Sequence, residues 1–209
     1  LTAVGDVMRE LHKRGWITTR DGNISLRRSE SKTLYITPSG VRKTIIHPEG
    51  MVKLKILDDG SLDVGGTNPS GELHMHWLLQ KDAKRTRAVV HAHPTHIIAA
   101  IYRGFDLQEI CEQFPEIFRY TRVGPTVPAI PAITPELGEA TAVAHGVENG
   151  KVAFDIVGQA QHGVCSVGTD PWNAFEHIER LNHICEIVLA SGVSPVTASD
   201  RQTLSEEGV

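Results

Sequence analysis

The strongest constraint on the fold is a change of hydrophobic period that repeats along the chain. Val4, Val7, Met8 and Leu11 recur at helical spacing within residues 1–14, and Gly15 marks the end of that helix. Short extended runs follow at 23–26 and 33–37, the second closed by a Pro-Ser-Gly turn. Residues 51–57 alternate apolar and lysine side chains, as a half-exposed strand does, and Asp58-Asp-Gly60 turns them onto 61–64 as a hairpin. Residues 65–70 read as a loop, with Pro69 and Ser70 capping a helix over 71–81. A buried strand is predicted over 88–92, and Pro94 then opens a helix to 102. Residues 103–123 carry no readable period, while 124–135 hold four prolines and a short extended piece at 126–130. Pro135 starts another helix, with Glu136 in its first turn. Strands are expected at 153–157 and 163–167 and a long amphipathic helix at 171–191. Such interleaving predicts one α/β layered domain over 1–191 and a polar tail over 192–209. The pattern alone does not fix how the strands pair.

Composition narrows the function classes. The formal charge is −4, and no basic stripe crosses the sequence, which argues against a nucleic-acid partner. The densest basic cluster, Lys81, Lys84, Arg85 and Arg87, reads as a solvated helix end. No apolar run approaches the ~18 residues that a membrane span needs. No secretory leader pattern is visible, and Cys111, Cys165 and Cys185 are too few and too widely spaced for a disulfide framework. Free thiols and a cytoplasmic location are the expectation.

Histidine is the unusual count, at eleven. His91 and His93 stand two apart at the end of the expected strand 88–92, so both side chains leave the same face. Two imidazoles placed that way can reach one ion at ~2.0–2.1 Å if a third ligand joins them. His162 is the candidate third ligand, because Gly163 beside it permits close backbone approach. Three neutral nitrogens leave a coordination position open for substrate, which suits a catalytic zinc site, with manganese or cobalt as substitutes. His74 and His76 form a rival pair, but residues two apart diverge on a helix. His96, three residues past His93, is a further competitor. His12, His47, His145, His177 and His183 lack ligand spacing and read as surface or helix-face residues. Glu72, alone, is an acid favoured by a helix dipole; beside a metal it is a candidate general base.

Five blocks then appear in one order: Asp21-Gly-Asn-Ile-Ser25, Ile36-Thr-Pro-Ser-Gly40, Pro69-Ser-Gly-Glu72 with His76, Ala88-Val-Val-His-Ala-His-Pro94, and His162-Gly-Val. Together they resemble the class II aldolase/adducin family over about residues 5–190. The resemblance implies an α/β domain with a central, mostly antiparallel sheet flanked by helices. It implies zinc on His91, His93 and His162, with Glu72 as the catalytic base that can also ligate the metal when substrate is absent. Asn23, Ser39, Gly40, Ser70 and Gly71 match the positions that hold the substrate phosphate, a role that glycine turns and a helix start suit. The expected activity is retro-aldol cleavage of a ketose 1-phosphate to dihydroxyacetone phosphate and an aldehyde, in a homotetramer with active sites at subunit contacts. Ketose-phosphate epimerisation, decarboxylation of a phosphorylated keto acid, dehydration of methylthioribulose phosphate and a non-catalytic adducin-like scaffold stay open. Residues 114–116 and 134–141 look closer to the rhamnulose-phosphate type, in which a second glutamate acts; Glu116 is nearest to it and Glu112 competes. Members of the fuculose type use a tyrosine, for which Tyr120 is the candidate. Pro131-Ala-Ile-Thr134 departs from the family's more usual Pro-Gly-Thr.

Overall fold

Alternation of inward and outward side chains on the central strands decides where each layer sits. In the computed structural model, which describes residues 1–195, seven strands form one sheet in the order β4-β3-β2-β1-β5-β7-β6. β1 (Asn23–Arg27), β2 (Thr33–Ile36), β3 (Val52–Ile56) and β4 (Leu62–Asp63) make a meander. β5 (Arg87–Ala92) lies against β1, and the hairpin of β6 (Ile156–Gln159) and β7 (Gly163–Gly168) continues the sheet. Every neighbouring pair is antiparallel, as the resemblance implies.

Helices cover both faces. Val90 and Ala92 of β5 and Ile24 of β1 join one apolar cluster with α1 (Thr2–Lys13), α3 (Thr95–Tyr102) and α6 (Pro171–Ser191). Val89 joins a second cluster with Met75 and Leu79 of α2 (Leu73–Gln80) and Leu137 of α5 (Pro135–Ala144). The period of two therefore sends His91, like Val89, toward α2, and sends Asn23 and Ser25 the same way. Each fully buried Leu or Ile in these clusters contributes about 1.5–3 kcal/mol relative to exposure. α6 is bounded by strong local signals. Asp170 accepts from the N–H groups of Trp172 and Asn173 at 2.9 and 3.0 Å, Pro171 occupies the first turn, and Gly192 ends the helix at φ +69°.

Several expectations need correction. The unreadable stretch contains α4 (Leu107–Glu112), capped by Asp106, and a 3-10 turn at Pro115–Arg119; neither is long enough to display a period. The strand expected at 153–157 lies at Ile156–Gln159, because Asp155 turns aside to take the backbone N–H of Arg122 at 2.8 Å and its guanidinium. Residues 126–130 make no strand, although Val127 bridges Gln159 in parallel. α2 begins at Leu73 rather than 71; Ser70 Oγ accepts the Glu72 N–H at 3.3 Å in a preceding turn. Arg87 belongs to β5 and donates to the carbonyls of Leu79 and Gly150 at 2.6 and 2.8 Å, so it is no solvated helix end. His145 and His177 are buried, with Nδ1 of each in hydrogen-bond contact at 2.9 Å, with Phe154 O and Thr121 Oγ1 respectively. No helix among the described residues is long and apolar enough to cross a membrane. Of the expected polar tail, residues 196–209 lie outside the described residues.

Candidate metal centre and cleft

Sheet register assembles the site. Asn23 on β1 stands directly opposite His91 on β5, and Cys165 on β7 stands opposite His91 from the other side. His93 lies just past the end of β5, its N–H anchored on Trp16 O at 2.7 Å. His162 is delivered by the tight β6–β7 turn, in which its N–H bonds Gln159 O at 3.1 Å. Gly163 makes that approach possible. A Cβ there would lie 2.4 Å from Ala92 O and 2.7 Å from His93 Cδ2.

The three imidazoles converge, with candidate ligand atoms all within 4.8 Å of one another. His91 Nδ1 is 2.9 Å from Val164 O and must donate to that carbonyl, which turns an Nε2 lone pair inward. That Nε2 sits 3.0 Å from His93 Nε2. Burial lowers His93 to about 4, so its ring is neutral at neutral pH. Burial likewise lowers His162. Glu72, 8% exposed, places Oε2 3.4 Å from His91 Nε2 and Oε1 3.7 Å from His162 Nε2. Burial alone would raise its pKa; His91, the Asn23 amide, His162 and His76 outweigh that and hold it below the usual range. Glu72 Oε1 and His162 Nδ1 are buried without a hydrogen-bond partner. Converging ring nitrogens, an ionised carboxylate and an unpaired carboxylate oxygen are what a divalent cation of borderline N/O preference satisfies, so the residues fit a metal of the zinc class.

Other expectations divide. His74 is exposed and His76 fully buried, so that pair diverges as predicted. His96 contacts Asn182 through Nδ1 at 3.2 Å, away from the centre. Asn23 donates through Nδ2 to Glu72 Oε2 at 2.8 Å. Ser39, Gly40, Ser70 and Gly71 line one cleft of about 200 Å³ with the three histidines and Glu72. Their two loops are zipped together: Ser39 N–H bonds Asn68 O and Ser70 N–H bonds Thr37 O, both at 3.0 Å. The N–H groups of Gly40 and Gly71 make no hydrogen bond among the described residues. Within one chain, Glu116 and Tyr120 do not reach this cleft. They line a separate groove with Phe114, Ile117 and Ile184, where the Arg180 guanidinium lies 5.4 Å from the Tyr120 ring centre. Glu112 ends α4.

Sequence reasoning missed Arg20, Lys43 and the structural part played by His76. Lys43 is 3% exposed, lines the cleft and donates from Nζ to Pro38 O at 2.5 Å. Burial lowers its pKa, partly offset by Asp21. A single loop lysine has no spacing that announces it, whereas Glu72 and His76 stand four apart on the face of α2 turned to β1, a signal that was available.

The chain resembles known proteins over most of its length. Residues 2–189 match the family described as Class II Aldolase and Adducin N-terminal domain. The chain is 29% identical over 193 residues to a probable bifunctional methylthioribose-1-phosphate isomerase/methylthioribulose-1-phosphate dehydratase of Nocardia farcinica. That match covers 88% of this chain and only 34% of the Nocardia protein. A 3-oxo-tetronate 4-phosphate decarboxylase of Haemophilus influenzae is 28% identical over 181 residues, 86% of this chain and 81% of that one. An L-fuculose phosphate aldolase of Methanococcus vannielii is 27% identical over 180 residues, 83% and 90% of the respective chains. Among solved structures, a sugar-phosphate aldolase from Thermotoga maritima superposes with TM-score 0.72 at 21% identity, covering 92% of this chain and 95% of that one.

Proposed function

We propose, because this chain belongs to the class II aldolase and adducin family, that it is a divalent-metal-dependent lyase cleaving a ketose 1-phosphate to dihydroxyacetone phosphate and an aldehyde. The observation that carries the reading is the ionised Glu72 carboxylate set beside three converging imidazoles, His91 buried and His93 and His162 half-buried. Zinc, or manganese or cobalt in its place, would be held by His91, His93 and His162 and would supply Lewis acidity to the substrate oxygens when bound. Glu72 moves the proton at the substrate C3: it accepts that proton in the condensation direction and returns it on cleavage. Ser39, Gly40, Ser70 and Gly71 receive the phosphate through free N–H groups and hydroxyls, and Lys43 adds a cation at the same wall. Phosphate binding remote from the reacting carbon holds it against Glu72. Residues 1–191 form the catalytic domain in this reading. The chain assembles as a homotetramer, in which Glu116 or Tyr120 of a neighbouring chain serves the substrate C4 oxygen.

A second reading is decarboxylation of a phosphorylated keto acid. Arg20 and Lys43 both line the cleft and suit a substrate with a carboxylate as well as a phosphate, and the Haemophilus relative bears that printed activity. One experiment separates the two. Ketose 1-phosphates and phosphorylated keto acids are offered to chelator-stripped and zinc-reloaded protein, and dihydroxyacetone phosphate and carbon dioxide are both measured. Metal-dependent release of dihydroxyacetone phosphate is expected. Full turnover in the stripped protein, or carbon dioxide as the sole product, would reject the aldolase.

A further inference from the structure

His91 and His93 are oriented by different means. His91 Nδ1 donates to Val164 O at 2.9 Å, so the backbone settles its tautomer. Among the described residues no backbone carbonyl does this for the His93 ring, whose Nε2 stands 3.0 Å from His91 Nε2. His91 offers a lone pair at that atom. Without a metal, the neutral His93 ring therefore carries its one proton on Nε2 and donates it to His91. Nδ1 then presents a lone pair on the other side of the ring, where Asp21 Oδ2 stands 4.0 Å away. Lone pair and carboxylate repel, and the spacing is too long for a hydrogen bond.

As metal ligands through these facing atoms, His91 and His93 each need an unprotonated Nε2. The single proton of the His93 ring must then sit on Nδ1, and a ligating imidazole nearly always donates its second N–H to a carboxylate, carbonyl or water. Asp21 is the carboxylate at hand, and the loop that carries it is tied to the end of β5. His93 N–H bonds Trp16 O at 2.7 Å, and Gly22, at φ +66°, lies so close that a Cβ on it would be 3.1 Å from His91 O. Lys43 N–H holds Thr19 O at 2.8 Å, and Thr18 Oγ1 donates to the same Asp21 Oδ2 at 2.6 Å. A turn of the carboxylate, or one bridging water, closes the gap to Nδ1. Building on the reading of His91, His93 and His162 as metal ligands, we propose that Asp21 is a positioning residue for His93: its carboxylate accepts a hydrogen bond from Nδ1 in the tautomer that leaves Nε2 free to bind metal. Solvent takes the Nε2 proton and returns one to Nδ1, so the ring stays neutral.

Zinc affinity is measured for the wild type, Asp21→Ala and Asp21→Asn by competition with a chromophoric chelator, and urea unfolding of the metal-free proteins checks that the fold is kept. Loss of the partner of a metal-bound imidazole costs about 10–100-fold in affinity, so Asp21→Ala is expected to bind zinc more weakly by about that factor. Asp21→Asn, whose amide oxygen still accepts from Thr18 and His93, is expected to recover most of the loss. Nitrogen-15 NMR is expected to find His93 protonated on Nε2 in the metal-free wild type and on Nδ1 in the zinc-loaded form. The Nδ1 proton is expected to exchange with water faster in zinc-loaded Asp21→Ala than in the wild type. Unchanged zinc affinity in a folded Asp21→Ala would overturn the proposal, and so would a zinc-loaded His93 protonated on Nε2. Should Asp21→Ala fail to fold, the two wild-type tautomers still decide. A wild type that binds no divalent ion would reject the metal reading itself, whereas equal zinc affinity with and without the Asp21 carboxylate rejects only the role of Asp21.

Discussion

In the proposed reaction Glu72 would act by position as much as by charge. Replacing it by Gln keeps the shape and the contact with Asn23 but removes the base, and loss of a general base costs about 10²–10⁴ in rate. Glu72→Gln should therefore retain metal, read by elemental analysis, while kcat collapses; unchanged turnover would reduce Glu72 to a residue that only starts a helix. A second residue makes an opposite kind of prediction. Ile133 is β-branched yet adopts φ +67°, and it is 66% exposed at the rim of the cleft, against Gly71. Such backbone costs about 1–3 kcal/mol, and glycine avoids it while losing about 0.5–1 kcal/mol to unfolded-chain entropy. Ile133→Gly should therefore raise the unfolding free energy, read from urea titration, by about 1 kcal/mol; a lower value would mean that the side chain packs more than its exposure suggests. His91, His93, His162 and Glu72 were legible because their types and spacing are rare together. Lys43 was not, because only the fold brings it to the cleft.

Between elements, the decisive contact is β5 against β7. A pleat of period two puts His91 inward, and the register of Ala92 on Val164 then carries the following turn, with His162, over it. Strands β1, β2, β3, β5 and β7 were legible because each carries either an apolar alternation or a continuous apolar run long enough to read. α4 was not: its six residues span under two turns, and its clearest mark is the Asp106 cap. β6 was displaced because an ion pair, Asp155 with Arg122, settled its start where apolar character alone had suggested 153. Gly163→Ala tests the β5–β7 approach. Its methyl would fall 2.4 Å from a backbone carbonyl, so the β6–β7 turn must shift away from β5. Overpacking of this kind costs about 1–3 kcal/mol. Zinc affinity, measured by competition with a chromophoric chelator, should fall together with thermal stability. Retained affinity would show that the turn yields without moving His162.

For the molecule as a whole, buried neutral histidines set the response to acid. His145 caps α5 from inside the core, and burial lowers it to about 4. In the unfolded chain it titrates near 6.5. Between those values the unfolded form binds the extra proton and the native form does not, so this residue costs the fold nothing above pH 6.5 and progressively more as pH falls toward 4. At 1.36 kcal/mol per unit, the loss reaches about 3 kcal/mol. His76, lowered by burial to about 3, acts in the same direction over a wider window. Glu72 and Asp155 have native pKa values below their ordinary ones, so their contribution disappears at still lower pH and does not mask the histidine window. Glutamine at position 145 can keep an N–H donor toward Phe154 O while removing the titration. Metal-free wild-type protein and His145→Gln should then diverge in urea unfolding between pH 6.5 and 4. The variant starts less stable at pH 7.5, because Gln fills the site less well than imidazole, but its stability falls less steeply, by about 3 kcal/mol over the window. Parallel curves would mean that His145 becomes protonated within the native core, with water or a rearranged α5 reaching Nε2, which is buried there without a partner.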